Sequence, residues 1–242
     1  MIRCAARMQP GKLRQYLTFA VLAAVTVAAC VLSYPYARRG QRLVASSERL
    51  LAQGKVEQAL QALREAMSLG TVPIGSAGTM LETALKAGEA RIARDLSLLL
   101  MDKGRPLASG LVGKAAGLLD ASGDSEGALA LLEKRRAMGP LDAPETLHLA
   151  DLLRRGKRFD EALGLYADLL AKNPADTAAG ADRAETLLWM GKPAEAEKAA
   201  RDMLARKPDS RAARLVLART LAAGGNAEGA IAEYQKLLGE KP

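Results

Sequence analysis

The sequence predicts an all-α protein, an array of about six helix-turn-helix units behind one N-terminal apolar helix. Three patterns predict it. Alanine recurs at Ala59, Ala93, Ala128, Ala162, Ala196 and Ala230, at intervals of 34 or 35 residues. Five residues before each alanine stands Gly54, Gly88, Gly123, Lys157, Gly191 or Gly225; at the exception, Gly156 lies one residue earlier. Residues 16–36 contain no charge and are mostly Leu, Val and Ala.

The N-terminal element comes first. Residues 17–34 are long enough, at about 1.5 Å per helical residue, to cross most of a hydrocarbon core. Tyr16, Tyr34 and Tyr36 sit at the two ends of this run, where an amphipathic ring meets the headgroup layer. Pro35 is expected to stop the helix. Three readings remain open: an uncleaved transmembrane anchor over 16–36, a cleaved signal peptide, and a lipoprotein signal. The last is carried by Val27-Ala28-Ala29-Cys30, which resembles a lipobox with Cys30 as the lipidated residue. The apolar run continues past Cys30, which favours the anchor. Basic residues on both flanks, slightly more before the span, place the N-terminus in the cytoplasm and the body in the periplasm or outside the cell.

Charge places the rest. The net charge of +8 points to nucleic acid only until it is located. Arg3, Arg7, Lys12, Arg14, Arg38 and Arg39 fall within residues 1–39, with no Asp or Glu among them. That leaves 29 basic against 27 acidic residues in the body, with no basic stripe and only 3% aromatics. Nucleic-acid binding is therefore not expected. Both cysteines, Cys4 and Cys30, are N-terminal, so the body has no disulfide or thiol chemistry.

Residues 40–242 form the repeated body, in units of approximately 40–73, 74–107, 109–142, 143–176, 177–210 and 211–242, after a basic tail at 1–15. Each unit shows two amphipathic segments, for example Leu149/Leu152/Leu153 followed by Ala162/Leu165/Tyr166/Leu169. The glycine makes the turn between them, and the alanine is small where two helices touch. Pro140, Pro174, Pro208 and Pro242 each close a unit, twelve residues after its alanine; Pro106 falls one residue late. One pair cannot cover its own apolar face, and stacking buries a continuous core. The unit at 109–140 is unusual, with Gly110, Gly113 and Gly117 in its first segment. They mark close helix packing, a softer joint, or room for a ligand backbone.

The period and the phased residues resemble the tetratricopeptide repeat. The clearest copies are 143–174, with Leu149, Ala150, Leu153, Ala162, Tyr166 and Pro174 in family positions, and 211–242, with Leu217, Ala218, Leu221, Ala230, Tyr234 and Pro242. No unit has the family's early Trp, and Leu or Ala replaces the Tyr late in the first helix. The resemblance implies a right-handed superhelical solenoid whose first helices line a concave groove. Carried over, that groove presents Asp151, Arg154, Arg155, Asp182, Glu185, Trp189 and Arg219. Trp189 is the only tryptophan, and the alternative is that it packs against the next unit. Val44, Glu48, Gly78, Glu82, Gly113 and Gly117 occupy the places of the carboxylate clamp that some members carry, so no clamp is expected.

Catalytic chemistry is not expected. His148 is the only histidine, which with no body cysteine argues against a zinc site. Gly113-Lys114 is followed by Ala115 and has no phosphate-loop frame, and there is no Gly-x-Ser-x-Gly elbow. No cofactor is expected. The sequence reads as a non-catalytic adaptor in a membrane or cell-envelope assembly, holding a protein partner (a peptide or a helix) in its groove. The alternatives are a lipidated, pilus- or secretin-like assembly factor and a scaffold using the convex face, with an accessory enzyme subunit furthest behind. The last helix, about 227–239, has no polar cap after it, so self-association through its outer face is also an expectation.

Overall fold

The computed structural model describes residues 10–70, 72, 74–105, 107 and 110–239; for 10–18, 20 and 29–37 this is the backbone alone. Among the described residues there are twelve helices and no strand. They are α1 (Pro10–Ala52), α2 (Val56–Ser68), α3 (Ile74–Lys86), α4 (Ala90–Asp102), α5 (Leu111–Ala121) and α6 (Ser125–Met138). Then follow α7 (Ala143–Arg155), α8 (Phe159–Lys172), α9 (Thr177–Trp189), α10 (Pro193–Arg206), α11 (Arg211–Ala223) and α12 (Ala227–Leu238). The chain forms two compact units, one through Met80 and one from Leu81.

In the first unit the C-terminal part of α1 packs along α2. Val44, Ala59, Leu60, Leu63 and Ala66 are buried, and the buried Ser47 hydroxyl donates to the Ala59 carbonyl at 2.9 Å. Arg39 pairs with Glu65 at 2.5 Å. Here the structure corrects one expectation, because α1 runs straight through residue 35. Proline removes one backbone donor and crowds the preceding turn, yet the helix continues because its downstream part is held against α2. Among the described residues no helix is long and apolar enough to cross a membrane. Residues 17–34 fall partly on side chains outside that set, as does the side chain of Cys30. Pro73, Pro106 and Pro242 also lie outside the described residues.

In the second unit each helix from α4 to α12 packs on its neighbour in sequence. The first helices also touch one another in series, α5 on α7, α7 on α9 and α9 on α11. They therefore form one continuous face, with the second helices behind them. Leu119, Leu131, Leu132, Leu149, Leu153 and Tyr166 are among the large side chains that are fully buried. All six phased alanines are buried, Ala93, Ala128, Ala162 and Ala196 with no exposed surface at all.

The turn inside each pair has one backbone design. Residues 54, 88, 123, 157, 191 and 225 all have φ between +61° and +89°. The next residue donates its N–H to a carbonyl five back, as Lys55 to Leu50, Asp124 to Leu119 and Asn226 to Leu221, at 2.8–2.9 Å. This satisfies a carbonyl left open at the helix end and reverses the chain in two residues. That residue is also the N-cap of the following helix; Asp124 and Asn226 accept from the N–H groups of Gly127 and Gly229. Glycine suits the left-handed position because a Cβ there meets the next carbonyl. Lys157 is the only non-glycine with positive φ among the described residues.

The three glycines near α5 have separate roles. Gly110 is the N-cap with φ +79°, outside the helix interior expected for it. Gly113 marks close packing: a Cβ there would stand 2.9 Å from Glu145 Cγ, and its N–H donates to Glu145 Oε1 at 3.3 Å. Gly117 faces open space.

Two predictions follow from this packing, both read as denaturant midpoints by circular dichroism. Gly191→Ala is expected to cost about 1–2 kcal/mol, while Lys157→Gly raises stability by about 0.5–1 kcal/mol. Ala162→Leu is expected to cost about 1–3 kcal/mol by overpacking the α7–α8 contact, whereas the same change at the exposed Ala167 stays within about 0.5 kcal/mol.

Candidate functional site

The first-helix face of α7, α9 and α11 carries a connected set of charged side chains. Its order comes from register. Asp151, Glu185 and Arg219 each lie eleven residues before their unit's phased alanine, so stacking brings them side by side. Arg155 and Trp189 share another register position, seven residues before the alanine.

On α7, Asp151 bridges two arginines one turn further on. Arg154 Nη2 donates to Asp151 Oδ1, and Arg155 Nε lies 3.0 Å from Asp151 Oδ2. Arg155 also reaches back to Asp120 on α5 at 2.5 Å. Asp120 further accepts from the Ser125 hydroxyl at 2.6 Å, and His148 Nε2 lies 3.4 Å from its other oxygen. The hydrogen bond from Arg155, with that from Ser125, outweighs burial and holds the Asp120 carboxyl down at about 2. On the other side, Arg219 of α11 donates to Glu185 of α9. Exposed pairs of this kind add only about 0–1 kcal/mol each. Their consequence here is to fix side-chain positions across α5, α7, α9 and α11.

Trp189 ends α9 with 57% of its surface exposed. It is not packed away against the next unit. The Arg154 guanidinium of the preceding unit instead lies over its ring, 5.8 Å from the centroid. Beneath this pair is Tyr166 of α8, fully buried, with a hydroxyl that makes no hydrogen bond. Arg154 Nε is likewise buried without an acceptor. Burial pushes the Tyr166 phenol up, helped by the charge of Asp182 and opposed by Arg154. Asp182, two turns before Trp189 on α9, makes no ion pair among the described residues. Burial raises its carboxyl, with Arg154 opposing and Asp151 and Glu185 adding to the rise.

All seven residues read from the sequence as groove-lining thus lie on α7, α9 and α11 and belong to this set. Asp120, Ser125, His148 and Tyr166 complete it and were not assigned to it from sequence. Register contained a signal for Asp120, which stands eight residues before its phased alanine, as Arg154 does in the next unit. Nothing comparable marks Ser125. Among the described residues no group of three or more His, Cys, Asp or Glu side chains could hold a metal ion.

A family model for the tetratricopeptide repeat matches residues 114–177 and 182–242, and a second of the same description matches 153–209. The solved structure of MamA MSR-1 is similar with a TM-score of 0.55 at 17% identity, covering 69% of this chain and 95% of that one. MamA AMB-1 gives 0.54 at 17% identity, covering 69% and 90%. YrrB, described as a TPR protein with an unusual peptide-binding site, gives 0.48 at 16%, covering 81% and 84%. No curated protein matches the sequence. The MamA likenesses show a shared fold, and the family model covers half of the chain at the phase read from its alanines: the protein belongs to the tetratricopeptide repeat family.

Proposed function

We propose that the protein is a non-catalytic adaptor, anchored at a membrane, that docks a protein partner on the first-helix face of α7, α9 and α11. The single observation that carries the docking surface is the ordered set around Trp189. A large aromatic ring is exposed there at the centre of arginines and carboxylates already held by one another. Trp and Arg dominate binding energetics because they combine large contact area with directed polar contacts. Their prior ordering lowers the entropic cost of docking.

The anchor rests on the sequence of residues 16–36 and on what α1 exposes. Phe19, Val21, Leu22, Val25 and Val27 are each more than half exposed. The one described polar side chain among them, Thr26, returns its hydroxyl to the Ala23 carbonyl at 2.8 Å. Helical backbone with its hydroxyl satisfied internally suits hydrocarbon. In this reading the N-terminus is cytoplasmic and the repeats lie outside the cytoplasm, in a cell-envelope assembly.

A second surface favours self-association. Leu215, Ile231, Tyr234 and Leu238 expose apolar area on α11 and α12, and Leu215, Tyr234 and Leu238 line a cavity with Arg211, Ala212 and Leu237. Tyr234 stands in register with Tyr166 and Ala200, both fully buried. A second copy laid on this edge would cover it.

Three outcomes test these readings. Trp189→Ala combined with Arg155→Glu is expected to abolish partner recovery in a pulldown while the circular dichroism spectrum stays unchanged; undiminished recovery would move docking to the second-helix face. Intact mass of the membrane-extracted protein is expected to equal that of the full chain; a mass starting at Cys30 with added acyl groups would establish the lipoprotein form instead. Sedimentation in mild detergent is expected to show a dimer that Leu238→Asp dissociates; a monomeric wild type would remove the self-association reading.

A further inference from the structure

The chemistry of the partner can be narrowed, on the reading that this face is the docking surface. In the set around Trp189, Asp120 pairs with Arg155, Asp151 with Arg154 and Arg155, and Glu185 with Arg219. Asp182 stands apart from this pairing. It occupies the same face of α9 as Glu185 and Trp189, at spacings of three and seven residues. It is partly desolvated, and its strongest favourable neighbour, Arg154, is already committed to Asp151.

A second observation concerns the floor beneath it. The Tyr166 hydroxyl is fully buried and lies within electrostatic reach of Asp182, Arg154 and Asp151. Among the described residues Asp182 is thus the one carboxylate of this set that no basic side chain pairs, and it stands above a buried phenol.

We propose that this face recognises a protein segment through one basic side chain, a lysine or arginine, whose charge meets Asp182 and whose stem lies along Trp189. The exposed ring offers apolar area to the methylenes and a π face to the cation. Arg154, Arg155 and Arg219 already face Asp151, Asp120 and Glu185, so an acidic segment would compete with those carboxylates. General electrostatic attraction does not produce this preference, because the body that carries this face is close to neutral, with 29 basic against 27 acidic residues.

The test uses the full chain in mild detergent, immobilised and exposed to a pooled library of short, end-capped randomised peptides. Residue enrichment is read by sequencing the retained pool. The wild type is expected to enrich Lys and Arg over Asp and Glu about ten-fold at one position, the ratio that about 1.4 kcal/mol gives. Asp182→Asn loses that enrichment and Asp182→Glu keeps it, with unchanged circular dichroism spectra in both. Trp189→Ala lowers retention of the whole pool. Equal basic enrichment in Asp182→Asn, or none in the wild type, overturns the proposal. Peptides retained through Trp189 without a basic preference leave the docking surface standing and defeat only this inference. A pool that the wild type does not enrich at all defeats both.

Discussion

The architecture depends on one close contact. In the pairs α5–α6, α7–α8 and α9–α10 the second helix packs on the first and carries an alanine, and Ala128, Ala162 and Ala196 are completely buried. A larger residue would push the helices apart and take the following unit out of register. The contact is possible because the preceding turn reverses the chain in two residues, through a left-handed backbone position and a hydrogen bond back over the helix end. Turn and contact together set the 34-residue phase, and the phase decides which side chains meet on the first-helix face.

This explains how much was legible in advance. Repetition averages over local noise: six alanines in phase predict six pairs even though propensity alone would leave α5, with its internal glycines, doubtful. Lys157 looked like a departure from the pattern, yet its φ of +61° shows the same turn built from a less suited residue. Backbone geometry imposed by the flanking helices outweighed the local preference. At Pro35 tertiary context likewise won, since a proline rule reads one residue while the helix is held by its packing on α2.

The site was legible to the extent that it follows from register. Asp151, Glu185 and Arg219 share one position in successive units, so a sign change from one unit to the next becomes an ion pair. Asp120 and Ser125 lie at the end of α5 and the start of α6, and their meeting with Arg155 depends on a side chain reaching across units. The unmatched Tyr166 hydroxyl could not be read from sequence, because its position looks like any other buried repeat tyrosine. Above it Arg154 turns to Asp151 and Trp189, contacts that repeat position does not mark. Fold and function are thus linked by phase: the spacing that packs the alanines is the spacing that assembles the charged face.

The central claim, that this face docks a protein, is tested most directly by placing a photo-crosslinking residue at single positions in the full chain in intact cells. With the probe at position 189, the account predicts one discrete crosslinked protein species that is absent when the probe sits at the exposed position 167 on α8. No crosslink at 189, or the same species from 167, would contradict it.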